Sequence, residues 1–154
     1  MKYASVMDSP IGLLTLVEED GALCEVRFGD DRMGLTVCET LVLKQAAEEL
    51  GEYFAGERKC FTVPLAPKGT PFQQKCWQAL LQIPYGETRT YGQQAALIGQ
   101  PKACRAVGMG NHRNPLPIFI PCHRVIGKNG TLTGYAGGLD IKEKLLQTER
   151  MNLT

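Results

Sequence analysis

The adjacent residues Cys122 and His123, directly after the apolar segment PLPIFIP, are the pair in this sequence best suited to chemistry. A cysteine reacts as its thiolate, and the pKa of a thiol falls near a histidine. Neighbouring residues do not face each other on a helix or a strand, so we expect His123 to reach Cys122 through a water molecule. The pair indicates a nucleophile and its base, because a structural cysteine needs neither neighbour.

The closing segment DIKEKLLQTER supplies a candidate for a third group. At about 100° per residue, Glu149 falls between the two leucines of this predicted helix, on its apolar face. A carboxylate there is costly without a hydrogen-bonded partner. Lys142 shares that flank and could either pair with it or extend to solvent. His123 is the chemically sensible partner, with Glu149 orienting the imidazole and favouring its charged form. A Cys-His-Glu set could serve a hydrolase as well as a transferase.

The remaining cysteines are interpreted as reduced thiols. The chain has six cysteines, none in a C-x-x-C spacing, and two histidines, His112 and His123. Without a secretory signal, a chain of this length does not need disulfides. No recognisable zinc ligand set is present in the sequence, so we expect neither a metal nor another cofactor.

Composition limits the class of protein. The chain has 154 residues, 44% hydrophobic content and a formal charge of +1. Such a chain can bury one core or two small ones, and a nucleic-acid partner would require a local basic patch. We find neither a signal-peptide pattern nor a run of eighteen apolar residues. We therefore expect a cytoplasmic chain without a membrane anchor.

The first part of the chain predicts a small α+β unit. Two strand-like runs, 13–18 and 22–28, flank the turn EDG and predict a hairpin with one wet face. Residues 41–54 carry apolar residues at helical spacing. The unit is expected to close near Val63, and PLAPKGT is interpreted as a linker.

The second part predicts several helices. Two segments carry the residue pair of a capping box: Thr70 with Gln73, and Thr90 with Gln93. The first helix is expected to run to about Gln82, the second to end at Gly99, and a third to begin at Pro101. Two short helices joined by a tight turn suggest a helix-turn-helix, although helical hairpins share this pattern.

The third of these helices has two different faces. Its predicted inner stripe consists of small or apolar residues: Ala103, Ala106, Val107 and Gly110. Its predicted outer face carries the basic residues Lys102 and Arg105, together with Met109 and His112. A solvated charged face would look the same as one that approaches nucleic acid closely, so the pattern alone leaves both open.

Five motifs carry a resemblance to a known family. They are DSPIG, IPYGETRTYGQQAALIGQPKACRAVG, NPLPIFIPCHRVIG, GYAGGL and the closing K--LL--E. Their order and spacing resemble those of the O6-alkylguanine-DNA alkyltransferases over about the whole chain, most densely from Pro71 to Glu149. The resemblance implies an α+β fold, with a small ribonuclease-H-like domain at 1–66 packed on a mainly helical domain at 70–154 that contains the helix-turn-helix.

The resemblance also implies roles for the candidate catalytic residues. Cys122 matches the acceptor cysteine, His123 the histidine that activates it through water, and Glu149 the carboxylate that orients the histidine. Asn114 matches the asparagine that braces the active-site loop. Tyr91 matches the tyrosine that donates a hydrogen bond to the ring of the flipped guanine.

Further residues match the pocket for the base. Val125 resembles the residue whose carbonyl accepts from the exocyclic amine of guanine, and Tyr135 and Ala136 fall on the loop that closes over the base. Ala136 departs from the serine of some members, which removes a hydroxyl but keeps the backbone N–H. Pro117 and Gly137 match small positions that leave room for a benzyl group.

Arg105 matches the arginine that occupies the space of the extruded nucleotide. In the resembling family its helix lies in the minor groove of double-stranded DNA, which we expect here with Lys102, Ala106 and Gly108 at the contact. Base flipping is required because the alkyl carbon of a stacked base is out of a cysteine's reach. The expected partner is DNA containing O6-alkylguanine, bound by a monomer.

The function implied is single-turnover transfer of an alkyl group from O6-alkylguanine, and from O4-alkylthymine, to Cys122. Two other classes remain open. A thiol hydrolase could use the same three residues but would need an oxyanion hole and would turn over. A non-catalytic binder of alkylated bases would not need the acceptor cysteine that this chain has.

Overall fold

The structure, a computed structural model, describes residues 1–153 and has the predicted α+β composition. The described chain divides into two compact units, one spanning Met1–Lys68 and one beginning at Gly69. Throughout residues 1–153, no helix combines the length and apolarity that crossing a bilayer requires.

The first unit consists of a four-stranded sheet and one helix. Its elements are β1 (Lys2–Met7), β2 (Leu14–Glu19), β3 (Ala22–Phe28), β4 (Thr36–Val37) and α1 (Leu41–Phe54). The strand order is β3-β2-β1-β4, in which β1 and β4 are parallel and the other neighbours antiparallel. The helix α1 has the predicted bounds and begins at the N-cap Thr40, whose side chain accepts from the Leu43 amide.

The predicted hairpin of β2 and β3 is confirmed, but the expected wet face is wrong for β2. Residues 14–18 of β2 are all buried, so both faces of this strand are covered. The helix α1 packs on β1, β2 and β3. Leu35, from the connection before β4, packs on a cluster of Ala4, Val17 and Cys24. The strand sequence could not reveal these two coverings.

Part of the predicted linker belongs to the sheet of the first unit. The Leu23 amide donates to the Pro64 carbonyl at 2.8 Å, and the Ala66 amide donates to the Leu23 carbonyl at 2.8 Å. The segment therefore continues the hydrogen bonding of β3 at what would otherwise be an open edge. Its prolines are compatible with this position because they lie at the border of the sheet, where fewer donors are needed.

The second unit is mainly helical. Its elements are α2 (Pro71–Leu81), β5 (Arg89–Thr90), α3 (Tyr91–Leu97), α4 (Cys104–His112), a 3-10 turn (Cys122–Arg124), β6 (Val125–Ile126) and α5 (Leu139–Met151). The strands β5 and β6 pair in parallel. Both predicted capping boxes are confirmed. In each, the threonine side chain accepts from the backbone amide of the glutamine, and the glutamine side chain accepts from the backbone amide of the threonine.

The helix α4 begins at Cys104, and the predicted start at Pro101 is wrong. Pro101 and Lys102 form a turn, after which Ala103 is an N-cap without a side-chain hydrogen bond. Gly99 ends α3 as predicted, with a φ of 77° that favours glycine. Lys102 is therefore exposed on the connecting turn and not on the helix itself.

Residues of the predicted outer face of α4 are exposed, as expected: Arg105, Met109 and His112. The predicted inner stripe is wrong at Ala106, which is also exposed. The buried residues are Val107, Gly110 and Asn111. Trp77 on α2 donates from Nε1 to the Gly110 carbonyl at 3.0 Å, and a Cβ on Gly110 would lie 3.0 Å from Sγ of Cys76. The buried face of α4 therefore contacts α2 at Gly110, where the two helices lie close together.

Two side-chain amides join α3 to α4. Nε2 of Gln94 donates to Oδ1 of Asn111 at 2.8 Å, and Nδ2 of Asn111 donates to Oε1 of Gln94 at 2.7 Å. Gln94 also donates to the Cys76 carbonyl on α2 at 3.2 Å. Both amides are buried, and amides at such sites are stable only when paired. The pair therefore fixes how the two helices of the helix-turn-helix pack.

We expect Gln94→Leu to lower the free energy of unfolding by about 1–3 kcal/mol, because Asn111 is left buried without its partner. Adding Asn111→Leu removes the orphaned amide, so the double variant should lose less than the sum of the single variants. Urea unfolding followed by the fluorescence of Trp77, the only tryptophan, measures this. Gln78→Leu, at an exposed position of α2, is the control. Strict additivity would contradict the pairing.

Candidate active site

The loop before Cys122 is braced by Asn114. Its Nδ2 donates to the Ile120 carbonyl at 2.9 Å, and its Oδ1 accepts from the Leu116 amide at 2.9 Å. Ile118, in this loop, is buried and has a φ of 75°, a region that β-branched residues rarely adopt. A strained residue persists only where its surroundings determine the conformation. The loop therefore presents Cys122 from a fixed position.

The 3-10 turn Cys122–Arg124 separates the two adjacent residues. Cys122 is half-buried, whereas His123 is fully buried. The Arg124 amide donates to the Pro121 carbonyl at 3.0 Å, and the Val125 amide donates to the Cys122 carbonyl. The turn thus directs the imidazole inward and leaves Cys122 half-buried.

The structure brings His123 and Glu149 together. Nε2 of His123 lies 2.6 Å from Oε2 of Glu149, which is 1% exposed. The carboxylate also accepts from the Gly86 amide at 3.1 Å. The spacing of the closing helix located this carboxylate, because α5 buries Glu149 together with Leu145 and Leu146.

Sequence reasoning missed Arg124. Its Nε donates to Oε1 of Glu149 at 2.9 Å, its Nη2 donates to Oε2 at 3.1 Å, and its Nη1 donates to the Ile83 carbonyl at 2.7 Å. The guanidinium also lies over the Tyr85 ring, 5.7 Å from its centroid. The available signal was an arginine beside His123 in a chain that buries a carboxylate, since such a carboxylate favours a bidentate cation.

Lys142, considered as a partner of Glu149, has a different contact. It is fully buried, and its Nζ donates to the Thr133 carbonyl at 2.9 Å. The alternative that it extends to solvent is wrong.

The carboxylate is ionised and the imidazole is neutral near neutral pH. Burial raises the pKa of Glu149, but hydrogen bonds and charge from His123 and Arg124 outweigh burial and lower it to about 2. Burial lowers the pKa of His123, and the raising effect of Glu149 does not overcome it. Glu149 favours the charged form of the imidazole, as expected, but in the resting protein burial outweighs this effect. A neutral imidazole that donates from Nε2 carries its lone pair on Nδ1.

Cys122 is a thiol at rest. Burial raises its pKa, and the opposing effects of the Asn114 side chain and the Lys142 charge are smaller. Nδ1 of His123 is buried and has no hydrogen-bond partner within residues 1–153. A neutral thiol beside an unprotonated imidazole nitrogen forms a nucleophile with a general base. The part of the chain that is described contains no group of His, Cys, Asp and Glu suited to a metal ion.

The other residues predicted for the site lie on several elements. Tyr91 begins α3, and its hydroxyl oxygen accepts from Oγ1 of Thr133 at 2.8 Å. Val125 is buried on β6. Tyr135 is buried, and this burial raises its pKa well above the usual range. The remaining pocket positions range from buried to exposed: Pro117 buried, Gly137 half-buried, Ala136 exposed.

The residues predicted to contact DNA lie at the start of α4 and just before it. Lys102, Arg105 and Ala106 are exposed. Gly108 is half-buried, and a Cβ there would lie 3.8 Å from Cε1 of Tyr91. Gly108 of α4 thus faces the Tyr91 ring at a distance where an added Cβ would make only an ordinary van der Waals contact.

Glu149→Gln should reduce the loss of unfolding free energy that the protein shows as the pH falls below about 4.5. Folding lowers the pKa of this carboxyl from 4.5 to about 2, so its stabilising effect is present above about pH 4.5 and lost as the pH falls towards 2. The loss in the wild type should be roughly 3 kcal/mol. Unfolding titrations across this range measure it, with Glu143→Gln, exposed on the same helix, as control. An unchanged loss in Glu149→Gln would contradict the assignment.

Comparison with protein-family models gives two matches. The ribonuclease-like domain of 6-O-methylguanine DNA methyltransferase matches residues 2–67, and the DNA binding domain of the same protein matches residues 71–151. Together the matches cover most of the chain and confirm the predicted fold class.

Similar proteins agree with these matches. The methylated-DNA–protein-cysteine methyltransferase of Methanosarcina acetivorans is 52% identical, with 96% of this chain and 97% of that protein covered. The constitutive enzyme of Bacillus subtilis is 50% identical, with 99% and 98% covered. The crystal structure of Mycobacterium tuberculosis O6-methylguanine methyltransferase superimposes with a TM-score of 0.93 at 45% identity, with 100% and 96% covered. A second M. tuberculosis structure, OGT in complex with DNA, gives a TM-score of 0.91 at 47% identity, with 97% and 94% covered. The chain belongs to the 6-O-methylguanine DNA methyltransferase family.

Proposed function

We propose that this chain repairs DNA by transferring an alkyl group from O6 of guanine to its own Cys122. One observation carries the proposal: the half-buried Cys122 directly precedes a buried His123–Glu149 pair, and Nδ1 of this imidazole has no hydrogen-bond partner within residues 1–153. The relatives support it, because methyltransferases named for methylated DNA and a protein cysteine are about half identical to this chain.

The transfer begins with the proton of the thiol. His123 takes it on Nδ1 through one water, and Glu149 stabilises the imidazolium that forms. The sulfur then attacks the alkyl carbon, so that an S–C bond forms while the C–O6 bond breaks. The electron pair goes to the guanine, where Tyr91 donates a hydrogen bond to the ring. The proton held by His123 returns through water to the departing base, and no cofactor is needed.

The product explains why the protein acts once. A thioether has no carbonyl for water to attack, so ordinary hydrolysis cannot restore Cys122. A thiol hydrolase with the same three residues would instead pass through an acyl-enzyme and turn over. The number of alkyl groups removed per protein molecule therefore separates the two classes.

The base is held by residues around Cys122. In this proposal the Val125 carbonyl accepts from the exocyclic amine, and the loop with Tyr135 and Ala136 closes over the ring. The raised pKa of Tyr135 keeps its phenol neutral beside the developing charge. Pro117 and Gly137 border the alkyl group. O4-alkylthymine is a second substrate of the same chemistry.

In this proposal the start of α4 enters the minor groove of duplex DNA. The protein binds the DNA as a monomer. The exposed surface of α4 offers Arg105 and Ala106, with Lys102 on the preceding turn. The proximity of Gly108 to Tyr91 supports a flipped base near that tyrosine, with Arg105 filling the gap in the stack. The DNA complex of M. tuberculosis OGT supports DNA as the partner.

Cys122→Ser should abolish transfer and keep DNA binding near the wild-type level, because a hydroxyl lacks the nucleophilicity of a thiolate while the surface of α4 is unchanged. The wild type, incubated with duplex DNA carrying O6-methylguanine and then digested, should show one added methylene mass on the peptide that contains Cys122. Product should not exceed one equivalent of protein. Methylation of another cysteine, or sustained turnover, would exclude the proposed chemistry.

Arg105→Ala should slow repair of duplex DNA by about tenfold to a hundredfold, since unstacking a base costs a few kcal/mol. Repair of the same lesion in a short single strand should change little, because no stacked partner needs replacing. Single-turnover rates on both substrates measure the difference. Arg150→Ala, which removes an equal charge from an exposed position of α5, is the control. Equal slowing on both substrates would mean that Arg105 supports the fold or the reactivity of the thiol and does not replace the flipped base.

A further inference from the structure

The loop between β6 and α5 contacts two elements of the site through one residue, Thr133. Its carbonyl accepts from Nζ of Lys142 on α5 at 2.9 Å. Its Oγ1 donates to the hydroxyl oxygen of Tyr91 on α3 at 2.8 Å. A residue that sequence reasoning did not single out therefore links a buried cation to the phenol proposed to contact the base.

The Lys142 contact fixes where Thr133 lies. Lys142 has no exposed surface, and a buried ammonium group is stable only with acceptors in reach. The acceptor is a backbone carbonyl, so the interaction holds the main chain of the loop at this residue. Thr133 also has only one strongly restricted side-chain torsion, since it is β-branched. Fixing its main chain therefore places its hydroxyl.

The Tyr91 contact determines what the phenol can do. A phenolic oxygen can accept and donate at once. When Thr133 donates to that oxygen, the phenol's own hydrogen remains available for another acceptor. The phenol is thereby prepared to donate to an acceptor on the base at the moment when negative charge develops there.

We propose that Thr133 is a positioning residue for Tyr91, fixed by Lys142, and that it raises the rate of alkyl transfer by orienting the Tyr91 hydroxyl. The proposal rests on the proposed function, in which Tyr91 donates to the ring of the leaving guanine. Thr133 itself touches neither the thiol nor the base in this role.

Thr133→Val removes the hydroxyl and keeps the shape of the side chain. It should slow single-turnover transfer from O6-methylguanine in duplex DNA about three- to tenfold, as expected for one lost hydrogen bond. Thr133→Ser keeps the donor and should retain most of the rate. Thr131→Val, at an exposed position of the same loop, is the matched control. Thr133→Ala provides a second donor-free variant if the valine variant folds poorly.

The decisive measurement is the same substitution in a Tyr91→Phe background. There Thr133→Val should have no further effect, because the hydroxyl that it orients is absent. A wild-type rate in Thr133→Val, equal slowing in both backgrounds, or a serine variant as slow as valine would each overturn the proposal. Absence of transfer in the wild type, or Tyr91→Phe as fast as the wild type, would instead overturn the proposed function or the role of Tyr91 in it.

Discussion

The burial of the Glu149 carboxylate is the constraint on which the site depends. A carboxylate that is 1% exposed is stable only if hydrogen-bond donors surround it. His123, Arg124 and the Gly86 amide supply them. These contacts join α5, the 3-10 turn and the segment before β5 around one charge. The orientation of the imidazole follows from this arrangement.

Arg124 forms a buried ion pair with Glu149 in the resting site. Burial lowers the pKa of the His123 imidazole, Glu149 opposes this effect, and the charge of Arg124, which pairs with Glu149, adds to the lowering. Burial has the opposite effect on Cys122 and raises the pKa of its thiol. A neutral thiol and a neutral imidazole suit a protein whose nucleophile is used once, because proton transfer is then confined to the approach of the substrate.

The proposed DNA contact and the proposed chemistry are linked through α3. Its first residue is Tyr91, and its buried Gln94 is paired with Asn111 of α4, the helix that exposes Arg105. A shift of α4 would therefore move α3, which carries the phenol of Tyr91. The amide pair requires definite geometry, which an apolar contact at this position would not impose.

The sequence by itself determined what local rules control: the bounds of α1, the capping boxes at Thr70 and Thr90, the end of α3 at Gly99, and the apolar face that buries Glu149. The motifs also sufficed for the family. Only the tertiary structure decided the later start of α4, the exposure of Ala106, the covering of both faces of β2, and the place of Arg124. The covering of β2 and the place of Arg124 depend on residues distant in sequence, and the contact of Trp77 with Gly110 helps to set which face of α4 is buried. The pKa directions of Cys122 and His123 were decided in the same way, since burial outweighs the charges that adjacent motif residues suggest.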